Sequence, residues 1–124
     1  MEVRIATSAD STYLVEFNQS MALETEGLVL NAPLLREGVR AILGDDTQVP
    51  GAYWIAELDE AVVGQLMITF EWSDWRNRMV WWIQSVYVAP TARRRGVFRA
   101  LYEHARREAQ AQGAGGLRLY VDVT

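Results

Sequence analysis

The stretch from residue 79 to residue 111 limits this chain more than any other. It opens with MVWWIQSVYV, a β-rich run that reads as a long strand over 79–88 and is bounded by Ala89-Pro90. Arg93, Arg94, Arg95 and Gly96 follow, and a helix from about Val97 to Ala111 begins at once. Val97, Ala100, Leu101, His104, Ala105 and Glu108/Ala109 share one side of that helix. The first N–H groups of a helix lack internal partners, and the aligned peptide dipoles place partial positive charge there. A glycine lets a ligand come close to that backbone, and arginines can fork onto phosphate oxygens. The segment therefore predicts an anion site, without saying which anion. A solvated basic turn is the plainer alternative on charge alone.

The remaining pattern fills in an α/β fold of order β-α-α-β-β-β-α-β. Residues 2–7 alternate as a first strand. Ser8 or Asp10 can cap a helix that carries Tyr13, Leu14, Phe17 and Met21 to about Glu24, before Gly27 interrupts it. Asn31-Ala32-Pro33 restarts a helix with Leu35, Val39, Ile42 and Leu43 on its apolar face, and Gly44 ends it. A loop over 45–51 leads to strands at 52–58 and 61–72, joined by Asp59-Glu60. Gly64 inside the second strand marks a bulge or a close backbone approach. A polar connection over 73–78 precedes the long strand, and 117–123 forms the last one.

Composition narrows the function. The 124 residues suit one compact domain, and a net charge of −4 argues against a general nucleic-acid binder. No cysteine is present, so thiolate metal sites and cysteine nucleophiles are excluded. Neither a secretory leader pattern nor a membrane-length apolar run is found, so a cytoplasmic protein without a membrane partner is expected. Trp72, Trp75, Trp81 and Trp82 cluster in a short stretch; they can build a core or an aromatic wall beside a ligand. His104, the single histidine, lies near an apolar helix face and reads as structural. No metal site is expected.

The stretch IQSVYVAPTARRRGVFRALYEHARREAQAQGAGGLRLYV resembles the cofactor-binding region of the GNAT N-acetyltransferase superfamily. Arg93 matches the first position of that family's [Q/R]-x-x-G-x-[G/A] signature and Gly96 its central glycine, whereas Phe98 stands where glycine or alanine is usual. The resemblance implies a GNAT-like mixed sheet and acetyl-CoA as cofactor. It implies that the backbone of Val86 and Val88, with Tyr87 between them, meets the pantetheine arm. Arg93, Arg94, Arg95, Gly96, Val97, Phe98 and Arg99 would hold the pyrophosphate. It also implies direct attack of an amine on the acetyl thioester, with a strand N–H stabilising the oxyanion.

A primary amine of pKa near ~10 is only about 0.1% neutral at pH 7, so a base or water relay helps. Trp82 and Gln84 occupy positions where some members carry a glutamate. Glu24 is the candidate catalytic residue, because it sits where the first helix breaks toward the acceptor pocket. Glu26, Glu71, Trp72, Asp74, Trp75 and Gln84 are candidate acceptor-binding residues. A small-molecule amine is the expected acceptor; a non-catalytic CoA-binding or protein-interaction module is the alternative. The family fold continues past its fifth strand with a helix and two strands, so a single domain, 1–124, that is incomplete at its C-terminus is expected. Truncation or omission of that part is the expected explanation, completion by a partner chain is the alternative, and a homodimer is a further expectation.

Overall fold

The computed structural model describes residues 1–44 and 49–119. Its strands are β1 (Glu2–Ile5), β2 (Gly51–Leu58), β3 (Ala61–Ser73), β4 (Arg78–Val88) and β5 (Gly116–Leu119). Its helices are α1 (Ser11–Glu26), α2 (Ala32–Leu43) and α3 (Val97–Ala111). The strands form one mixed sheet in the order β1-β2-β3-β4-β5, antiparallel except for the parallel β4–β5 pair. The α/β expectation and the element order hold. No helix among the described residues is long and apolar enough to cross a membrane.

Both faces of the sheet are covered. On one, α3 buries Val97, Leu101, Ala105 and Ala109, one residue per turn, against Trp54, Leu66, Ile68, Trp81 and Ile83. On the other, Leu14 of α1 with Val39 and Ile42 of α2 packs on Tyr53 and Ile55. The sequence bounds of α3 match the structure at both ends. Asn31 caps α2, accepting from the Leu34 N–H at 3.0 Å.

Other bounds move for local reasons. β1 stops at Ile5, short of Thr7, because Ser8–Asp10 turn into a 3-10 helix. Asp10 does not cap α1 with its side chain. Its carboxylate accepts instead from the Thr7 N–H at 2.8 Å and from Arg4 at 2.9 and 3.0 Å. α1 runs past Glu24 to Glu26, where Gly27 takes a left-handed φ of 65°. The segment expected to carry β5 on to 123 lies outside the described residues after 119.

The tryptophans divide between two roles. Trp54 and Trp81 stack at 5.9 Å, and Phe70 joins Trp81 at 5.0 Å, so this pair is core. Trp82 looks to the opposite face, with the Arg118 guanidinium 5.2 Å from its ring. Trp72 and Trp75 stand exposed on the β3–β4 hairpin, Trp75 at 95%. His104 sets its ring edge-on to Trp54 at 5.8 Å and belongs to the packing of α3, as its position predicts.

Candidate functional site

The site begins at the C-terminal half of β4. Among the described residues its parallel ladder with β5 runs from Val80↔Gly116 to Ile83↔Leu119. Opposite β3, the register shifts between Met67 and Ile68, leaving Gln84 as the extra residue. The Ala89 N–H donates to the Val63 carbonyl at 2.7 Å. Antiparallel alternation then turns the Tyr87 and Ser85 backbone toward β3, and that of Val86 and Val88 toward the β5 side. The two residues expected to meet a pantetheine arm thus present backbone groups on the β5 side, beyond the last described pair, Ile83↔Leu119, and both line one cavity.

The loop that follows is shaped for an anion. Pro90–Ala92 make a 3-10 turn, Arg94 takes φ 65° and Gly96 takes φ 82° before α3 starts. Left-handed residues between ordinary ones turn successive N–H groups into one concavity, which adds to the helix dipole. A Cβ built on Gly96 meets nothing within 4 Å, so the space above the loop is open. Arg94, Arg95, Phe98 and Arg99 are exposed around it, while Val97 is buried and anchors the helix to the sheet. Arg95 reaches Asp59 only at 3.9 Å. These residues fit a pyrophosphate held by backbone N–H groups and surrounding guanidinium groups. The Phe98 side chain points to solvent and does not fill the concavity's backbone.

Arg93 behaves differently from its neighbours. Its Nη2 donates to Glu24 Oε1 at 2.8 Å and its Nε donates to the Val88 carbonyl at 3.0 Å. The guanidinium also lies 5.5 Å from the centre of the Tyr87 ring. Tyr87 donates its hydroxyl to Glu24 Oε2 at 2.5 Å and packs its ring on Phe17 at 5.5 Å. The Tyr87 and Arg93 bonds hold the Glu24 carboxyl below its ordinary range, and burial together with that carboxylate raises the Tyr87 phenol. Met21, Glu24, Thr25, Val86, Tyr87, Val88 and Arg93 line a cavity of about 440 Å³.

Glu71, Trp72, Asp74 and Trp75 come together as well, with Ser73, Arg76, Val80 and Arg118, around a second cavity of about 230 Å³. It lies roughly 20 Å along β4 from Val86, counting strand rise from Val80. Gln84 joins neither group; its Nε2 donates to Thr69 Oγ1 at 2.8 Å. Glu26 is exposed at the end of α1 and lines neither cavity. Among the described residues, those lining a larger cavity of about 500 Å³ between β1, β2 and the end of α2 carry no charged side chain. Among the described residues no cluster suited to a metal ion occurs.

What the sequence could not show is the Glu24–Tyr87–Arg93 contact, because Glu24 is 63 and 69 residues from its two partners. Met21 and Thr25 line the same cavity, and the i, i+4 spacing of Phe17, Met21 and Thr25 along α1 is the signal that could place them there.

A mixed α/β sheet with a strand–loop–helix unit between β4 and α3 defines the class. The model of the acetyltransferase (GNAT) family matches residues 15–124, and the chain belongs to that family. It is 40% identical to a possible acetyltransferase from Clostridium difficile 630, with a TM-score of 0.90 over 98% of this chain and 79% of that one. Two more distant structures share the fold. One is a ribosomal-protein-alanine N-acetyltransferase from Brucella melitensis biovar Abortus 2308 (15% identity, TM-score 0.79, 98% of this chain and 81% of that one). The other is an aminoglycoside acetyltransferase from an uncultured soil metagenomic sample, in complex with sisomicin (13% identity, TM-score 0.75, 98% and 77%). Among curated protein sequences none matches the chain.

Proposed function

We propose that the chain moves an acetyl group from acetyl-CoA to the primary amine of a small molecule. The observation that carries this reading is that the cavity lined by Val86, Val88 and Arg93 adjoins the loop at Arg94 and Gly96. Together they offer one path for an extended arm that ends in a pyrophosphate. Acetyl-CoA supplies an activated thioester, whose carbonyl carbon accepts the amine nitrogen as the thiolate departs and takes up a proton. The backbone of Val86 and Val88 orients the arm, and an N–H of the same strand stabilises charge on the carbonyl oxygen. The N–H groups from Arg94 to Arg99 and the Arg94, Arg95 and Arg99 side chains hold the phosphates.

Carboxylates stand near two stretches of β4, a setting that favours a cationic amine. Glu24 lines the cavity at Val86 and Val88 with Glu26 close by at the end of α1, and Glu71 and Asp74 ring the separate hairpin cavity together with Arg76 and Arg118. The aminoglycoside acetyltransferase structure, with sisomicin bound, shows an amine-bearing small molecule on this fold. The reading is tested by thiol release from acetyl-CoA with a panel of small amines, and by calorimetry with acetyl-CoA against Gly96→Glu. Amine-dependent release and loss of binding in the variant are expected. Cofactor binding with no amine accelerating release would leave a CoA-binding module in its place. Unchanged affinity in Gly96→Glu would sink the loop assignment.

A further inference from the structure

Glu24 is placed against local preference. It lies in the last turn of α1, at the negative end of the helix dipole, with Glu26 beside it and no basic residue in that turn. A carboxylate there is disfavoured unless something outside the helix offsets it, and Arg93 does so at 2.8 Å. The contact reaches further than one ion pair. Arg93 also donates to the Val88 carbonyl at 3.0 Å, and Tyr87, buried between Val86 and Val88, donates to the other oxygen of Glu24. The end of α1, the last residues of β4 and the first residue of the anion loop are therefore tied at one carboxylate.

Each oxygen of Glu24 already accepts one of these donors, and a carboxylate held by a guanidinium and a hydroxyl is a poor proton acceptor for an incoming amine. We propose that Glu24 is a positioning residue rather than the general base: through Arg93 and Tyr87 it fixes the wall of the cavity at Val86 and Val88 that receives the cofactor's arm. The inference rests on the acetyl-CoA reading above. Without the carboxylate, the Arg93 guanidinium keeps its bond to the Val88 carbonyl but loses the one that draws it to α1, and the end of α1 loses its polar link to β4. Ordering both on binding then weakens affinity for ligands that fill the cavity. A ligand that engages the anion loop alone is spared, because the loop's shape is set by the backbone at Arg94 and Gly96.

Calorimetry with CoA and with 3′,5′-ADP, which lacks the arm, tests this on the wild type, Glu24→Gln, Glu24→Asp and Tyr87→Phe. Circular dichroism confirms that each variant is folded. An exposed charged contact predicts about threefold weaker CoA binding in Glu24→Gln. Unaltered 3′,5′-ADP binding, part recovery in Glu24→Asp and a smaller loss in Tyr87→Phe are expected with it. Equal CoA affinity in Glu24→Gln and wild type would overturn the proposal, as would a parallel loss of 3′,5′-ADP binding. If the wild type itself does not bind CoA, the underlying reading falls, and that outcome is distinct from a wild type that binds with an indifferent Glu24.

Discussion

Gly64, in the interior of β3, lies directly under Val97, the first residue of α3: a Cβ on Gly64 would stand 2.9 Å from Val97 Cγ1 and 3.1 Å from the Tyr87 carbonyl. A β-branched side chain and a strand backbone cannot yield as the tip of a flexible chain would. Gly64→Ala is expected to lower stability by about 1–3 kcal/mol through overpacking. Because Val97 seats the anion loop on the sheet, CoA affinity should fall with it. Urea unfolding and calorimetry read the two effects, and an unaltered unfolding midpoint would contradict the close approach.

Asp10 gives the chain a defined acid response. Its bond to Arg4 lowers the carboxyl from its ordinary value, and the backbone N–H of Thr7 adds to that. A carboxyl lowered on folding contributes stability that is present above its unfolded pKa, about 3.9, and lost as pH falls through the folded value. Asp10→Asn should cost about 2 kcal/mol at pH 7, the scale of a hydrogen bond to a charged group. The gap between wild type and variant should narrow as pH drops below about 4. Urea unfolding at pH 7 and pH 3 measures it; a gap that stays constant would show that Asp10 does not titrate with folding.

The parts of this fold legible in the sequence are those whose signals are local. α3 has an apolar residue at every turn and a glycine at its start, so both its ends could be read. The tight turn at Asp59-Glu60 and the cap at Asn31 are also neighbour effects. Gly64 was ambiguous, since bulge and close approach leave the same mark; the structure shows the approach, with a register shift beside it between Ala56 and Glu57.

The site was legible only in half. Arg93 and Gly96 sit together in sequence, so the loop could be placed, but the direction of the Arg93 side chain depends on Glu24. Trp54, Trp72, Trp81 and Trp82 lie on strands, and strand alternation assigns faces without saying what covers each face. Trp81 finds α3 and Trp54, while Trp72 and Trp75 lie on a hairpin that runs on past the start of β2.

The β2–β3 turn holds two residues in a costly conformation. Asp59 and Glu60 have φ of 52° and 66°, the left-handed region that both positions of a two-residue hairpin turn require. Glycine takes that region without the Cβ clash, which costs about 1 kcal/mol or more. Glu60→Gly is expected to stabilise the chain by about 1 kcal/mol, read as a higher thermal midpoint. A lower midpoint would mean that the freedom gained by the unfolded chain outweighs the relief of strain.

Gln65 breaks the apolar pattern at the centre of the sheet. It is fully buried in β3 between Ile55 and Tyr87, and among the described residues its side-chain amide finds no hydrogen-bond partner at either Oε1 or Nε2. An unsatisfied buried polar group costs about 1–3 kcal/mol. Methionine has nearly the same length and flexibility and lacks that penalty, so Gln65→Met should raise stability by an amount on that scale. Urea unfolding decides it. A loss of stability would instead show that the amide is satisfied in solution, which in a buried polar setting points to an internal water held between α1 and the sheet.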